Sequence, residues 1–422
     1  MTTRRLWLIT TLCTGVEVVG VPLLALITTT VLLRTVGDVA VAVWLSAQSV
    51  VTAANLWSLG RNDLLLATLA EQAADGVDQR AIAAAALRRA ERPGTWFAVA
   101  WGGLGGALIG WRSAMDSGSC WGLSLVCALA AWCRLRETMA ISALRGVGAW
   151  QQAALLSAAA RSGGAVLALA CIAVGGPLAA ALALQSAPGL LVRWMAVKGQ
   201  ALGVPAPDLA FRRGLPYFVQ MLGNTTLHTL DRVIALPLLG IAGAARYGLV
   251  SQLTAPLYGV VWGSFIWLID RHAAGGGDSP QVCEGVWRLV GWYLATIGAL
   301  VIGWFLALQW LVPIGFGPSA PRLGDPDLTW ALGAALGFSL AVPPYYLLFR
   351  HQGGRLTATL VAVGAIGWGL LLTIPQGLRS PAWFAETRAQ AALLLLVSSW
   401  VAFGLWSKRR PTTEWGHTPA NS

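Results

Sequence analysis

Apolar stretches long enough to cross a bilayer recur along nearly the whole chain, joined by short polar segments, so lipid is the solvent in which this chain has to fold. A chain in lipid must satisfy every backbone N–H and C=O internally, which leaves helix bundles and closed barrels. The stretches have helix length, and the expected fold is an all-α membrane protein of about twelve transmembrane helices. The spans are drawn at 6–33, 39–59, 95–111, 119–140, 151–173, 177–197, 214–238, 245–269, 285–311, 328–349, 356–375 and 389–407. Composition agrees. Charged residues make up 11% of the chain, against about 25% in soluble domains. A formal charge of +11 would suggest nucleic acid in a soluble protein; here it belongs to loops, and no nucleic-acid partner is expected. Many of the 22 tryptophans stand near span ends, among them Trp44, Trp57, Trp111, Trp150, Trp194, Trp310 and Trp406, where an amphipathic ring prefers the headgroup region.

Loop charge orients the spans. Counting Arg4 and Arg5, Arg61, Arg88, Arg134, Arg136, Arg145 and the Lys408–Arg410 tail with one side gives about 21 basic residues there, against about 6 opposite. Both termini are expected on the cytoplasmic side of a bacterial inner membrane. The N-terminal run from Leu6 to Leu33 is too long for a signal peptide and lacks a small-residue cleavage site, so it reads as a retained first span. Residues 61–93 are basic and Ala-rich and read as an amphipathic helix on the cytoplasmic surface, attracted to anionic lipid. Residues 312–327, with four prolines, read as an irregular outer loop. The six cysteines show no metal-ligand spacing and read as packing residues.

The chain also repeats weakly. Gly37-Asp-Val-Ala-Val41-Ala42 joins spans one and two, and Gly243-Ala-Ala-Arg-Tyr247-Gly248 joins spans seven and eight. Six spans and six spans in the same orientation give two parallel-repeat lobes around a central cavity. The N-terminal lobe is assigned to 1–198 and the C-terminal lobe, with its short basic tail, to 199–422.

The segment Leu230-Asp231-Arg232-Val-Ile-Ala-Leu-Pro-Leu-Leu-Gly, followed by Gly243-Ala-Ala-Arg-Tyr247-Gly248-Leu, resembles the seventh-to-eighth span junction of bacterial polysaccharide and O-antigen flippases. These are oligosaccharidyl-lipid exporters of the multidrug/oligosaccharidyl-lipid/polysaccharide superfamily. Ile141-Ser-Ala-Leu-Arg145-Gly146 is similar to that family's inner end of span four. The first junction departs, with Val41 and Ala42 where Tyr and Gly are expected. The resemblance implies alternating access between two lobes and export of a lipid-linked oligosaccharide for surface polysaccharide or lipopolysaccharide.

Ionisable groups in mid-span cost about 2.5–3.5 kcal/mol on insertion scales and usually face a wet cavity or a partner. Arg161, among small neighbours in span five, is read as a cavity guanidinium that could hold a phosphate oxygen, or as half of an internal ion pair with Glu17. Glu17 itself is either a proton or cation site or that counter-ion. Asp231 is a second ion-coupling or counter-ion candidate. Asn224, His228 and Arg232 fall on one stripe of span seven, and Gln48 and Asn55 on a shorter stripe of span two; both stripes are expected to face the cavity. Gly102, Gly106 and Gly110 recur every four residues and read as a close helix contact.

Neither lysine, Lys198 or Lys408, sits in a phosphate-binding loop, so the chain cannot be the ATP-hydrolysing part of a pump. No enzyme activity, cofactor or metal is expected. The partners expected are the lipid-linked oligosaccharide, membrane lipids and glycan polymerase or assembly proteins. Two other classes compete: an ion-coupled exporter of small cationic compounds, which needs an acidic cavity, and a membrane glycan polymerase or ligase, which typically needs a large outer loop.

Overall fold

The computed structural model describes residues 13, 16, 20–72, 79–198, 209, 211–274, 291, 293, 295, 298–299, 302–310, 312–313, 324–352, 354–373 and 380–409. Glu17, residues 314–323 of the proline-rich loop and the tail from 410 lie outside them. Among the described residues every regular element is helical. In chain order these are α1 (Val21–Thr35), α2 (Asp38–Ala53), a 3₁₀ turn (Ala54–Ser58), α3 (Arg61–Gln72), α4 (Gln79–Arg112), α5 (Ser117–Gly146) and α6 (Trp150–Ala173). They continue with α7 (Leu178–Ser186), α8 (Pro188–Val197), α9 (Phe211–His228), α10 (Asp231–Ala274), α11 (Pro326–Gln352), α12 (Gly354–Leu371) and α13 (Pro381–Arg409). Residues 302–310 are helical as well.

Six of these helical stretches are long and apolar enough to cross a membrane, and two shorter ones, Val21–Thr35 and Leu356–Leu371, are apolar too. Large apolar side chains such as Leu104, Trp121, Leu125, Val174 and Leu370 stand exposed along the helices, as lipid contact requires. The chain is a multi-pass membrane protein.

Three expected elements differ in detail. Segment 61–93 is not a single surface helix. Its first part is α3, and its second is the start of α4, which runs without interruption through Pro93 into span three. At 34 residues α4 is about 51 Å long, far beyond a ~30 Å hydrocarbon core. Its extra turns bury Ala83, Ala86, Leu87 and Ala90 in a second apolar cluster with Leu65 of α3 and Met139 and Leu144 of α5. The Ala-rich face that read as a lipid-facing stripe is thus a protein-facing one. Span six keeps helical angles through Ala187, and its hydrogen-bond ladder is interrupted there because Pro188 has no N–H to donate. Span seven breaks after His228, turns through Thr229 and Leu230, and restarts at Asp231.

The internal repeat is far sharper in the fold than in the residues. Gly37 (φ 100°) turns the chain between α1 and α2, and Gly240 (φ 70°) kinks α10 between spans seven and eight. Only glycine adopts such angles freely. They lie 203 positions apart. Trp101 Nε1 donates to the Val50 carbonyl at 2.9 Å, and Trp304 Nε1, 203 positions on, donates to Leu253 at 2.8 Å. Gln48 Nε2 donates to Gln185 Oε1 at 3.2 Å, and at the same offset Arg388 donates to Ser251 Oγ at 3.4 Å. The glycine that corresponds to Gly37 is therefore Gly240 and not Gly243. Trp44, fully buried, takes the place of Tyr247, also fully buried. Leu45 and Gly248 are equivalent positions that touch each other: a Cβ built on Gly248 would lie 2.6 Å from Leu45 Cδ1. Equivalent residues meet only on the axis that relates them, so the pseudo-two-fold axis passes between α2 and α10 here.

Glycine spacing sets the α4–α5 contact. A Cβ on Gly106 would stand 2.8 Å from Ser124 Cα, and one on Gly102 the same distance from Ala128 Cα, whereas Gly122 on the opposite side of α5 meets nothing. Gly102→Leu should therefore force the two helices apart at a cost of about 1–3 kcal/mol, and Gly122→Leu should not. Thermal unfolding of the two purified variants in detergent checks the contrast.

Candidate functional site

A cavity of about 390 Å³ lies between the lobes, on the same axis. It is lined by α1, α2, α5, α6 and α7 on one side and by the α9–α10 junction and α10 on the other. Equivalent residues of the two repeats, Ser49 with Gln252 and Thr52 with Ala255, both border it.

Polarity is concentrated in a few side chains. From the N-terminal lobe come Gln48, Gln185, Arg134, Arg161 and Glu137; from the other come His228, Arg232 and Gln252. Among the described residues, three guanidiniums and one carboxylate line the cavity. Glu137, 7% exposed, takes both arginines of its wall. Arg134 Nη1 donates to its two oxygens at 2.9 Å each, and Arg161 Nε donates to Oε1 at 3.4 Å. Arg134 and Glu137 stand three apart on α5, which places them on one helix face. The opposite wall holds its cation differently. Arg232 donates to Gln252 Oε1 at 3.1 Å and to Ser251 Oγ at 3.4 Å, which are neutral acceptors.

The α9–α10 break supplies that second wall. His228 is the last residue of α9, and its ring packs edge-on against Phe338 at 4.3 Å. Arg388 of α13 holds the break together. Its Nε donates to the Leu227 carbonyl at 3.0 Å, and its Nη1 pairs with Asp231 at 3.0 Å and donates to Tyr247 Oη at 3.2 Å. Tyr247 in turn donates to Asp231 at 2.7 Å. One guanidinium thus joins the carbonyl end of one half-helix to the first residue of the next, a recurring way to satisfy broken backbone in a membrane. Asp231 is fully buried within this staple.

Of the residues singled out in the sequence, Arg161, Arg232, His228 and Gln48 border the cavity. Asn224 is half-buried on α9 and is not among its lining residues. Asn55 sits in the 3₁₀ turn, off the lining, where Oδ1 accepts the Thr138 hydroxyl at 2.9 Å. Asp231 is likewise off the lining, and its counter-ion is Arg388. For Arg161 the acidic partner among the described residues is Glu137; Glu17 lies outside them.

Sequence reasoning missed Arg134, Glu137, Gln185 and Arg388. Arg134 had been counted with loop charge although it falls inside the 119–140 span, and the Arg134-x-x-Glu137 spacing was the available signal. Arg388 stands at the edge of its expected span, and nothing local marks it as a partner for Asp231.

No protein-family model matches the sequence. No curated protein matches it either. Solved structures do. Over 97% of this chain and 89% of the other, it superposes on the lipid II flippase MurJ in an inward closed conformation with a TM-score of 0.67 at 10% identity. A multidrug resistance MATE family transporter of the MOP superfamily in its inward-facing conformation gives 0.65 at 12% identity, covering 94% of this chain and all of the other. The outward-facing conformation of such a transporter gives 0.55 at 12% identity over 95% and 97%. The fold is that of the MATE transporters and MurJ. Identity this low speaks to fold alone, so the chemistry has to come from the cavity.

The staple has a measurable weight. Removing one partner of a buried ion pair strands the other and costs about 3–5 kcal/mol, whereas replacing both with apolar groups costs far less. Arg388→Met and Asp231→Leu should each lower thermal stability in detergent sharply, and the double variant should be more stable than either single one. Additive losses in the double variant would contradict the staple.

Proposed function

We propose that the chain is an alternating-access transporter that flips a lipid-linked oligosaccharide, carried on a polyprenyl diphosphate, from the cytoplasmic to the outer leaflet of a bacterial inner membrane for surface polysaccharide assembly. The observation that carries this reading is the sign of the cavity. Arg134, Arg161 and Arg232 line it, and Glu137, its one acidic lining residue among those described, is already engaged by two of them. Guanidinium groups match phosphate oxygens in geometry as well as charge. In a partly water-filled cavity of low dielectric their attraction for a diphosphate is stronger than at an open surface.

The competing reading, a cation or multidrug exporter, asks for carboxylates free to take a cation. Glu137 is committed to arginines, and Asp231 is sealed in the staple with Arg388. The MATE neighbours share the architecture, which does not transfer their cargo. A chain that works on lipid-anchored cargo has only to pass the headgroup through the cavity while the acyl tail stays in the bilayer. With the cytoplasm negative, outward movement of the anion is downhill by about 2.3 kcal/mol per charge per 100 mV. Consumption of the product by glycan assembly enzymes on the far side would add to that drive.

Arg161→Ala should abolish surface glycan export in the native host and cause the lipid-linked precursor to accumulate, with the protein still present in membranes at wild-type level. Surface glycan staining, lipid extraction and immunoblotting of the same cells check it. Undiminished export in a normally expressed variant overturns the assignment.

A further inference from the structure

Glu137 is an awkward presence in a cavity meant for anions. It cancels part of the positive charge that would draw the substrate, and it does so from inside the site, through the two guanidiniums of its own wall. Its side chain is 7% exposed, so its contacts are made away from bulk water, where they are strong. The carboxylate also fills space that the neighbouring helix leaves for it. A Cβ on Gly189, next to Pro188 in span six, would lie 3.2 Å from Glu137 Oε2 and 3.1 Å from its Cβ. The fold therefore accommodates a carboxylate in this place on the cavity wall.

We propose that Glu137 is a tethered competitor for the substrate's anion and sets which anions the cavity accepts. In the empty cavity it holds Arg134 and Arg161 in a site where charge is costly to leave unpaired. A ligand must displace it from at least one of them to bind. A monocarboxylate offers those guanidiniums the same group they already hold, and without the tether, so it gains nothing. A diphosphate brings more charge and more acceptor oxygens and can also reach Arg232 on the opposite wall, so it wins the exchange. Glu137 is in this sense a threshold: it lets polyanionic phosphate headgroups in and keeps abundant small carboxylates out. The same carboxylate returns to the arginines when cargo leaves, which favours release.

This inference rests on the cavity being an anion site, as proposed above, and the test separates the two. The full-length protein, purified in detergent, is titrated calorimetrically with inorganic pyrophosphate and with acetate at fixed pH and ionic strength. Wild type should bind pyrophosphate and show no heat with acetate. Glu137→Gln, which removes the competitor but keeps the shape, should bind pyrophosphate about tenfold more tightly and acquire measurable acetate binding. Glu137→Asp, which keeps the charge but draws it back by one methylene, should fall between, tightening pyrophosphate two- to threefold. A purely structural role for Glu137 would predict the reverse, since loosening the wall weakens binding. Unchanged or weaker pyrophosphate binding in Glu137→Gln, with wild type binding normally, overturns the competitor role alone. No pyrophosphate binding by wild type overturns both the role and the anion cavity. Should the Gln variant fail to accumulate as folded protein, the Asp variant decides, and an affinity no better than wild type counts against the proposal.

Discussion

A guanidinium inside a bilayer has two places where it can rest, against a carboxylate or beside water, and hydrocarbon is not one of them. The positions of the buried arginines in this fold follow from that constraint. Arg193 is clamped by Glu91 with three contacts of 2.9–3.0 Å, and Arg136 lies 4.0 Å from the same carboxylate and 4.2 Å over the Trp132 ring. Arg388 is bound into the Asp231 staple. Those pairs are closed and structural. Arg134, Arg161 and Arg232 differ because they border the cavity as well as having partners. A charge that is both paired and open to a cavity can exchange one partner for another, which is what a carrier needs and what a sealed pair cannot do.

The two-fold repeat separates what the two lobes share from what they do not. The contacts that build the scaffold are common to both lobes: the tryptophan that ties span three to span two, the bridge from span two to span six, and the positive-φ glycine at the turn. The charges are not. Carried through the same 203-residue offset, Arg134 and Arg161 correspond to Gly337 and Gly364, and the cavity-lining Gln185 corresponds to Arg388. The arginines of the first lobe's cavity wall therefore have no charged counterpart at the equivalent positions, and the second lobe's cavity cation, Arg232, stands at a different place. The second lobe spends its extra guanidinium on fastening the broken helix of span seven. Backbone scaffolding tolerates little divergence because burial fixes it. Side chains at the cavity face are free to differ, and there the two halves have parted.

Apolar periodicity was enough to read the all-helical membrane fold, because that signal is local and repeats in every span. The register of the internal repeat was not legible. Gly243 looked like the partner of Gly37 because it stands next to a recognisable Tyr-Gly pair, yet the property the turn needs is a positive φ, and that falls on Gly240. Arg161, His228 and Arg232 could be picked out as polar residues in mid-span. What they touch could not, since Glu137 comes from another helix and the two half-helices of span seven are joined by a residue more than 150 positions away. The stripe 224–228–232 assumed one unbroken helix; the helix ends at His228, and of the three residues His228 and Arg232, which flank the turn, border the cavity while Asn224 does not.

The breaks and the closures also belong together. At the end of the bundle that carries the basic loops, Gly60 packs directly on the backbone of Gly214 and Phe218, Ser58 Oγ reaches Met221 Sδ at 3.9 Å, and Arg61 donates to the Leu209 carbonyl at 3.5 Å. A contact between glycine and backbone is short and has no side chain to interlock, so it can separate without unthreading anything. At the axis Leu45 on Gly248 makes a second contact of the same small kind. Between the two lies the cavity, with the half-helix ends of span seven on its wall. Small-residue contacts thus join the lobes at the axis and at one end, and the irregular backbone of span seven is confined to the cavity between them.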